Sequence, residues 1–395
     1  MRVKHISLNC LLLVLGFGLA YLCMIWIEPK ALADFAAFVF LWVAFFIFRK
    51  RLFKPTYAAT AAGAIVMSMG VFVSDAIYEM PIDIAFLDQL LIIVIFVLWL
   101  SLITDYTASL FKGTFFERHL RSVLNSFAMG TWLAGSSVCS MGLILFLREW
   151  RMIAILIIMI NSCLWLIYAG LCIIRYFQLY KMKQTLVHGV VLLSAVSTQS
   201  LVIDYSLLLK KSMPEEIYQL LILLGVCFYL IGLILIIRQY VRLNWHLVSD
   251  WKNTNCIIHG ALSITGLAST LSHAVPASLL YFVWLLAFIF IIIIESIETF
   301  RAVLRIKTFG VREAIFVYDV SQWARNFTFS MFLAFSIHLP KKGISIVWRH
   351  FFNHIIIVFG LVMIVLFIWE TVLFFASRLK KPSKNDVRKI RMKGV

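Results

Sequence analysis

The chain has 395 residues, 63% of them hydrophobic and 14% charged, with a formal net charge of +17 and a mean hydropathy of +0.96. Water-soluble domains are about 45–50% apolar and about 25% charged, so this composition excludes a soluble globular protein. With 18 Gly and 7 Pro it also excludes collagenous and low-complexity chains. Cys10, Cys23, Cys139, Cys163, Cys172, Cys227 and Cys256 have neither metal nor redox spacing, which argues against a disulfide framework. What remains is a polytopic helical membrane protein.

A membrane helix needs about 20 apolar residues. In chain order the predicted spans are 10–28, 34–48, 57–78, 86–104, 126–147, 152–174, 187–206, 217–237, 256–273, 277–300, 316–337 and 352–377. The first follows Arg2 and Lys4 as a signal peptide would. It is too long for an h-region and ends without a small-residue cleavage site, so it reads as a helix. The connecting loops are short and leave no room for a soluble catalytic domain, so neither enzyme activity nor a cofactor is expected.

The positive charge suggests nucleic acid until its distribution is considered. With the N-terminus inside and the helices alternating, inner segments hold Arg2, Lys4, Arg49, Lys50, Arg51, Lys54, Lys112, Arg118, Arg121, Arg175, Lys181, Lys183, Arg238, Arg242, Lys252, Arg301, Arg305, Lys307, Arg312 and the basic tail. Outer segments hold only Lys30, Arg148, Arg151, Lys210, Lys211, Lys341, Lys342 and Arg349, while Arg325 falls within a helix. The positive-inside rule then predicts both termini in the cytoplasm and no nucleic-acid partner. The tail is expected to hold this topology and to attract anionic lipid.

From residue 57 onward two kinds of helix alternate. One kind is rich in small and hydroxyl residues: AATAAGAIVMSMG (58–70), SFAMGTWLAGSSVCSMG (126–142), HGVVLLSAVSTQS (188–200), HGALSITGLAST (259–270) and WARNFTFSMFLAFS (323–336). The kind that follows each is bulky and aliphatic, as in LLIIVIFVLWL (90–100). Aliphatic surfaces suit lipid, whereas a hydroxyl facing hydrocarbon wastes its hydrogen bonds, so small and polar residues suit close helix packing or a polar path. The expected fold is all-α: five helical hairpins in a pseudo-fivefold ring, with inner and outer helices, plus two additional N-terminal helices. The domain boundaries follow as 1–55 for the extra helices and their basic linker, 56–378 for the ten-helix domain and 379–395 for the tail.

On the inner helices, helical spacing gathers Gly63, Met67, Gly70 and Ser74; Ser126, Gly130 and Ser137; Ser194, Ser197 and Thr198; and His259, Ser263, Gly266 and Thr270. In the last inner helix Ala324, Phe327, Ser330, Met331 and Ala334 fall together. A single stripe of this kind reads first as a packing seam between helices; five alternating stripes shift the balance toward a pore lining.

These segments resemble the tellurite-resistance/dicarboxylate transporter family, which includes TehA-type proteins and the plant slow anion channels. AGAIVMSMGVFVS (62–74) is similar to that family's first helix, SFAMGTWLAGSSV (126–138) to its third, LLSAVSTQSLV (192–202) to its fifth, WKNTNCIIHGALSITGLAS (251–269) to its seventh and YDVSQWARNFTFSMF (318–332) to its ninth. The resemblance implies a ring of hairpins assembled as a homotrimer with one pore per protomer. It also implies passive or coupled movement of small inorganic anions or dicarboxylates, and a phenylalanine gate in the ninth helix. Aligning Trp323 puts Phe327 at the gate, with Thr328 where the family has proline. A helix without that proline is expected to run straighter. Short loops and tails suit a bacterial inner membrane.

A phenylalanine in a narrow apolar ring can block ions sterically or by dewetting. Phe329 lies about 200° around the helix from Phe327 and should face elsewhere. Arg325 either attracts anions or forms an ion pair with Asp319, Glu295 or Glu298. His188 and His259 open two inner helices and either sense protons, hold an anion or simply bond to neighbours. His350 and His354 lack a third ligand for a metal. Asp75 and Asp204, near the outer ends of inner helices, read as solvated or capped carboxylates at the membrane surface, with repulsion of anions or proton carriage in a coupled cycle as the alternative, and Glu370 as a coupled or paired one within the last helix. Within transport, a proton-coupled C4-dicarboxylate or sulfite carrier competes with a channel. Outside it stand an integral-membrane transferase, which would draw on His188 and His259, and a non-transporting receptor or scaffold.

Overall fold

The computed structural model describes residues 34–43, 45, 58–77, 85–182, 186–209, 212–340 and 345–379. The predicted helix at 10–28 and the tail at 379–395, apart from Leu379, lie outside them, and the helix at 34–48 is described only in part. Helices are the only regular secondary structure among the described residues. Ten principal helices follow the short apolar helix Asp34–Val43: α1 (Gly63–Val71), α2 (Ala85–Phe111), α3 (Gly130–Phe146), α4 (Arg151–Lys181), α5 (Leu193–Leu209), α6 (Glu215–Arg242), α7 (Ile257–Ser272), α8 (Ala277–Ile315), α9 (Trp323–His338) and α10 (Ile346–Leu379).

The residues that form these helices also explain where they stop. Pro214 and Pro276 stand in extended conformation immediately before α6 and α8, positions where proline's missing N–H costs nothing. His273 closes α7 in the left-handed conformation (φ 55°). Inside α8, Gly310 takes φ 80° and ψ 161°, breaking the helix past the membrane-length stretch. α9 runs unbroken through Thr328, whose hydroxyl bonds back to the Arg325 carbonyl at 2.9 Å.

Seven helical stretches are long and apolar enough to cross a membrane among the described residues, so the chain is an integral membrane protein. That is fewer than the twelve spans read from the sequence. α7 and α9 are helical where expected but only 16 residues long each, and the stretch around α1 runs from Thr60 to Ser74. Helices surrounded by protein need not satisfy the length and apolarity that lipid demands.

Burial follows the alternation of textures. The stretch containing α5 is 89% buried, and the one containing α3 67% buried, whereas α2, α4, α6, α8 and α10 range from 17% to 39%. α1 packs against α3, α3 against α5, α5 against α7, α7 against α9, and α9 against α1. The helices of the second kind lie against these: α2 on α1 and α3, α4 on α3 and α5, α6 on α5 and α7, α8 on α7 and α9, and α10 on α9.

The close approaches are built by residue size. A β-carbon at Gly260 of α7 would fall 2.2 Å from the Thr328 methyl, so the threonine of α9 occupies the space that glycine leaves. Hydroxyls on the buried helices are satisfied locally: Ser197 and Thr198 donate to the Ser194 carbonyl, Ser263 to that of His259, and Ser336 to that of Phe332. Asp34–Val43 joins a separate aromatic cluster in which Phe38 meets Phe96 at 5.5 Å and Trp150 edge-on at 5.5 Å.

Candidate functional site

The short turns that lead into α1, α3, α5, α7 and α9 meet at one end of the bundle, each touching the next, and the last touching the first. Polar side chains tie several of them together. The Thr60 hydroxyl pairs with His119 Nδ1 at 2.8 Å and accepts from Asn125 Nδ2 at 2.9 Å. His188 Nδ1 pairs with the Thr254 hydroxyl at 2.8 Å, Gly189 N donates to Asn255 Oδ1 at 2.9 Å, and Asn253 Nδ2 donates to the Ser321 hydroxyl at 3.0 Å. Gly189 is required here, because a β-carbon would lie 1.9 Å from the Thr254 carbonyl oxygen. Asp319, one of the carboxylates considered for Arg325, instead caps the turn leading into α9 in a reciprocal box with Gln322.

Burial, helped by the charge of Lys252, pushes the half-buried His188 down to about 4. The folded chain therefore binds a proton less readily than the unfolded chain, whose histidine titrates near about 6.5. The stability tied to neutral His188 is complete above that value and drains away as the pH falls toward 4. Thermal unfolding in detergent should show an acid limb on the order of 2 kcal/mol that His188→Asn flattens; an unchanged limb in the variant refutes this.

The stripe residues are mostly buried, and their surroundings differ by type. The glycines stand at helix crossings: added β-carbons would meet the Thr131 carbonyl at Gly63, Val138 at Gly70, the Tyr168 hydroxyl and Leu193 carbonyl at Gly130, and the Phe335 ring at Gly266. Ser126 donates to the Val123 carbonyl, and Ser137 accepts from Asn161 Nδ2. Ser194 pairs with the Tyr176 hydroxyl at 2.7 Å, and Thr198 accepts from Trp165 Nε1 at 3.1 Å. Thr270 donates to the Gly266 carbonyl, and Ser330 to that of Asn326. Met67, Ser74, Ser197, Ser263 and Ala334 are buried. The side chain of Asp75 lies outside the described residues.

Phe327 is among the largest fully buried side chains, 1% exposed, and belongs to the main core. Phe329 packs elsewhere, with Phe72, Leu333 and Met363, its ring edge-on to His259 at 5.8 Å. The half-turn separation read from the sequence thus directs the two rings into different cores.

Between α7, α8 and α9 lies a cluster of charge. Arg325 Nε is 3.4 Å from Glu295 Oε2, and Arg325 Nη2 is 3.1 Å from Glu298 Oε2. Glu298 also faces Arg301 at 3.3 Å and accepts from Trp251 Nε1 at 2.8 Å. Arg301 in turn donates to Asn253 Oδ1 at 2.9 Å. The fully buried His259 sits 3.8 Å from Glu295 Oε1. Two guanidinium groups and two carboxylates thus neutralise one another. The roles of Arg301, Trp251 and Asn253 were missed in the sequence. Glu295, Glu298 and Arg301 recur every three residues on one face of an apolar helix, and that spacing was the available signal. Beside the cluster an open hollow of about 570 Å³ on α8 is lined by Glu295, Ser296, Thr299, Phe300 and Phe329 among others.

Asp204 corrects the surface placement read from the sequence. It is fully buried, and its Oδ1 lies 2.8 Å from the Ser140 hydroxyl of α3. Its position near the end of α5 suggested exposure, but α3, α4, α6 and α7 all pack on that helix. Glu370 is 4% exposed, and its Oε1 has no hydrogen-bond partner. His354 Nδ1 faces the His350 carbonyl at 2.7 Å, and no group of three metal-ligating side chains occurs among the described residues.

No protein-family model matches the chain, and no curated protein matches it significantly.

Proposed function

We propose that this integral membrane protein moves small anions along a path enclosed by α1, α3, α5, α7 and α9, with Phe327 closing it, in the manner of the tellurite-resistance/dicarboxylate transporter family. The observation that carries the reading is the closed succession of contacts around those five helices, with less buried helices laid against them. In this reading the arrangement is a ring of five hairpins.

Anion preference follows from the leading turns. Five helices begin around one mouth, so the positive ends of their dipoles converge there. Arg325 adds little attraction, since Glu295 and Glu298 offset it. Basic residues on the cytoplasmic side would raise the local anion concentration, an effect that salt screens. Apolar outer faces, such as Leu220, Leu223, Ile234 and Val241 of α6, suit lipid or neighbouring protomers of a homotrimer. A bacterial inner membrane, with both termini in the cytoplasm, completes the proposal.

Purified protein in liposomes tests it. Chloride and nitrate should pass, with sulfite and malate separating channel from carrier behaviour, while potassium and sodium should not. Equal passage of cations and anions sinks the proposal.

A further inference from the structure

Asp204 stands three turns into α5 with no exposed surface, and no basic side chain lies within ion-pair distance of it among the described residues. Its Oδ2 has no hydrogen-bond partner within 3.5 Å, although the Ser137 hydroxyl also faces the carboxylate. An ionised carboxylate so placed has no exposure to bulk water and no counter-charge among the described residues, a costly state inside a membrane.

The neighbouring hydroxyl accommodates the alternative. Ser140 Oγ lies 2.8 Å from Asp204 Oδ1 and 2.8 Å from the Ser137 carbonyl oxygen, yet it owns a single hydrogen. When the carboxylate is ionised, Ser140 donates to it. When the acid is protonated, Asp204 donates to Ser140, which turns its own hydrogen to the Ser137 carbonyl. Both protonation states therefore fit the same heavy-atom geometry. Asn161 Nδ2 steadies the loop of contacts by donating to Ser137 Oγ and to the Leu133 carbonyl, each at 3.0 Å.

Little else near Asp204 carries charge. From α3 it is faced by the buried Cys139 thiol. On α4, Cys163 and Arg151 are exposed. On α6, Glu215 and Glu216 are exposed, and the Tyr218 hydroxyl is engaged with the Tyr205 carbonyl. α7 bears no ionisable residue after His259, which lies 3.8 Å from Glu295; His273 beyond its end is exposed.

We propose that Asp204 is the proton-binding site of the transport cycle, one proton crossing with each monovalent anion. This rests on the transport reading above. The carboxylate takes a proton from one aqueous side and returns it to the other, so a chloride and a proton together move no net charge. Linkage is physical: the closed packing of α3 on α5 suits the neutral acid, and the ionised form favours a state that admits water.

Chloride and nitrate flux into liposomes carrying an internal pH dye, with the membrane potential clamped by potassium and valinomycin, tests the site. Wild-type flux should acidify the lumen, follow an imposed proton gradient and ignore the clamped potential. Asp204→Asn should lose the acidification and follow the potential instead, and Asp204→Glu should retain acidification. Wild-type anion flux without acidification, or an Asp204→Asn protein that behaves as wild type, overturns the site while leaving anion transport standing. Flux that requires sodium and moves no proton also overturns it. Folded wild type that passes no anion overturns the transport reading and the site together. Should Asp204→Asn fail gel filtration, the wild-type ratio of protons to anions is the deciding measurement: one supports the site and zero overturns it.

Discussion

Replacing Phe327 with alanine should raise chloride and nitrate flux about tenfold or more, equivalent to lowering the barrier by about 1.4 kcal/mol. The ring is 1% exposed and packed in the core that the inner helices share. In the proposed reading the ring forms an apolar constriction, which would exclude ions because it could not replace their hydration shells. Truncation removes the obstruction and opens a space that water can enter. It also forfeits packing, for which Phe→Ala in a core costs about 3–5 kcal/mol, so the variant should unfold at lower temperature even as it conducts better. Phe327→Leu should fall between. Phe329→Ala is the matched control: it removes the same ring from the cluster around Phe72 and Met363 and should leave flux low. Equal flux gains from both variants would show leakage from loosened packing and would remove Phe327 from the gate.

Arg325→Met should destabilise the protein by about 3 kcal/mol, because it leaves Glu295 and Glu298 facing only Arg301 and the fully buried His259. Removing one member of a buried ion cluster costs more than removing a balanced pair. The double variant Arg325→Met with Glu295→Leu should therefore recover much of that loss, and Glu298–Arg301–Trp251 would persist in it. Thermal unfolding of wild type, both single variants and the double variant supplies the cycle. Anion flux measured on the same proteins separates two roles. Intact permeability with lowered stability makes Arg325 a structural tie between α8 and α9, whereas lost permeability in a stable variant makes it part of the anion's path.

Much of the helical layout was legible. The span read at 152–174 is the middle of α4, Arg151–Lys181, and the span at 217–237 is the middle of α6, Glu215–Arg242. The readings stopped short because helix ends turn polar at the membrane surface while their backbone hydrogen bonds continue. The alternating textures anticipated burial, since a helix of small and hydroxyl residues can be surrounded by other helices and a helix of bulky aliphatics can face lipid. Phe327 and Phe329 were separated by helical angle alone.

Composition and periodicity by themselves determined that the chain is a helical membrane protein, where most of its helices run and which of them are enclosed. Those properties depend on local spacing and on the cost of leaving polar groups in lipid, which any stretch of sequence displays. Only the tertiary structure decided that Gly63, Gly70, Gly130 and Gly266 lie at helix crossings, that Arg325 meets Glu295 and Glu298, and that Asp204 is buried beside Ser140. Each of these depends on a partner from another helix, distant in sequence, whose height and rotation are set by packing. One helix's pattern names the face a residue occupies; the neighbouring helix decides what that face meets.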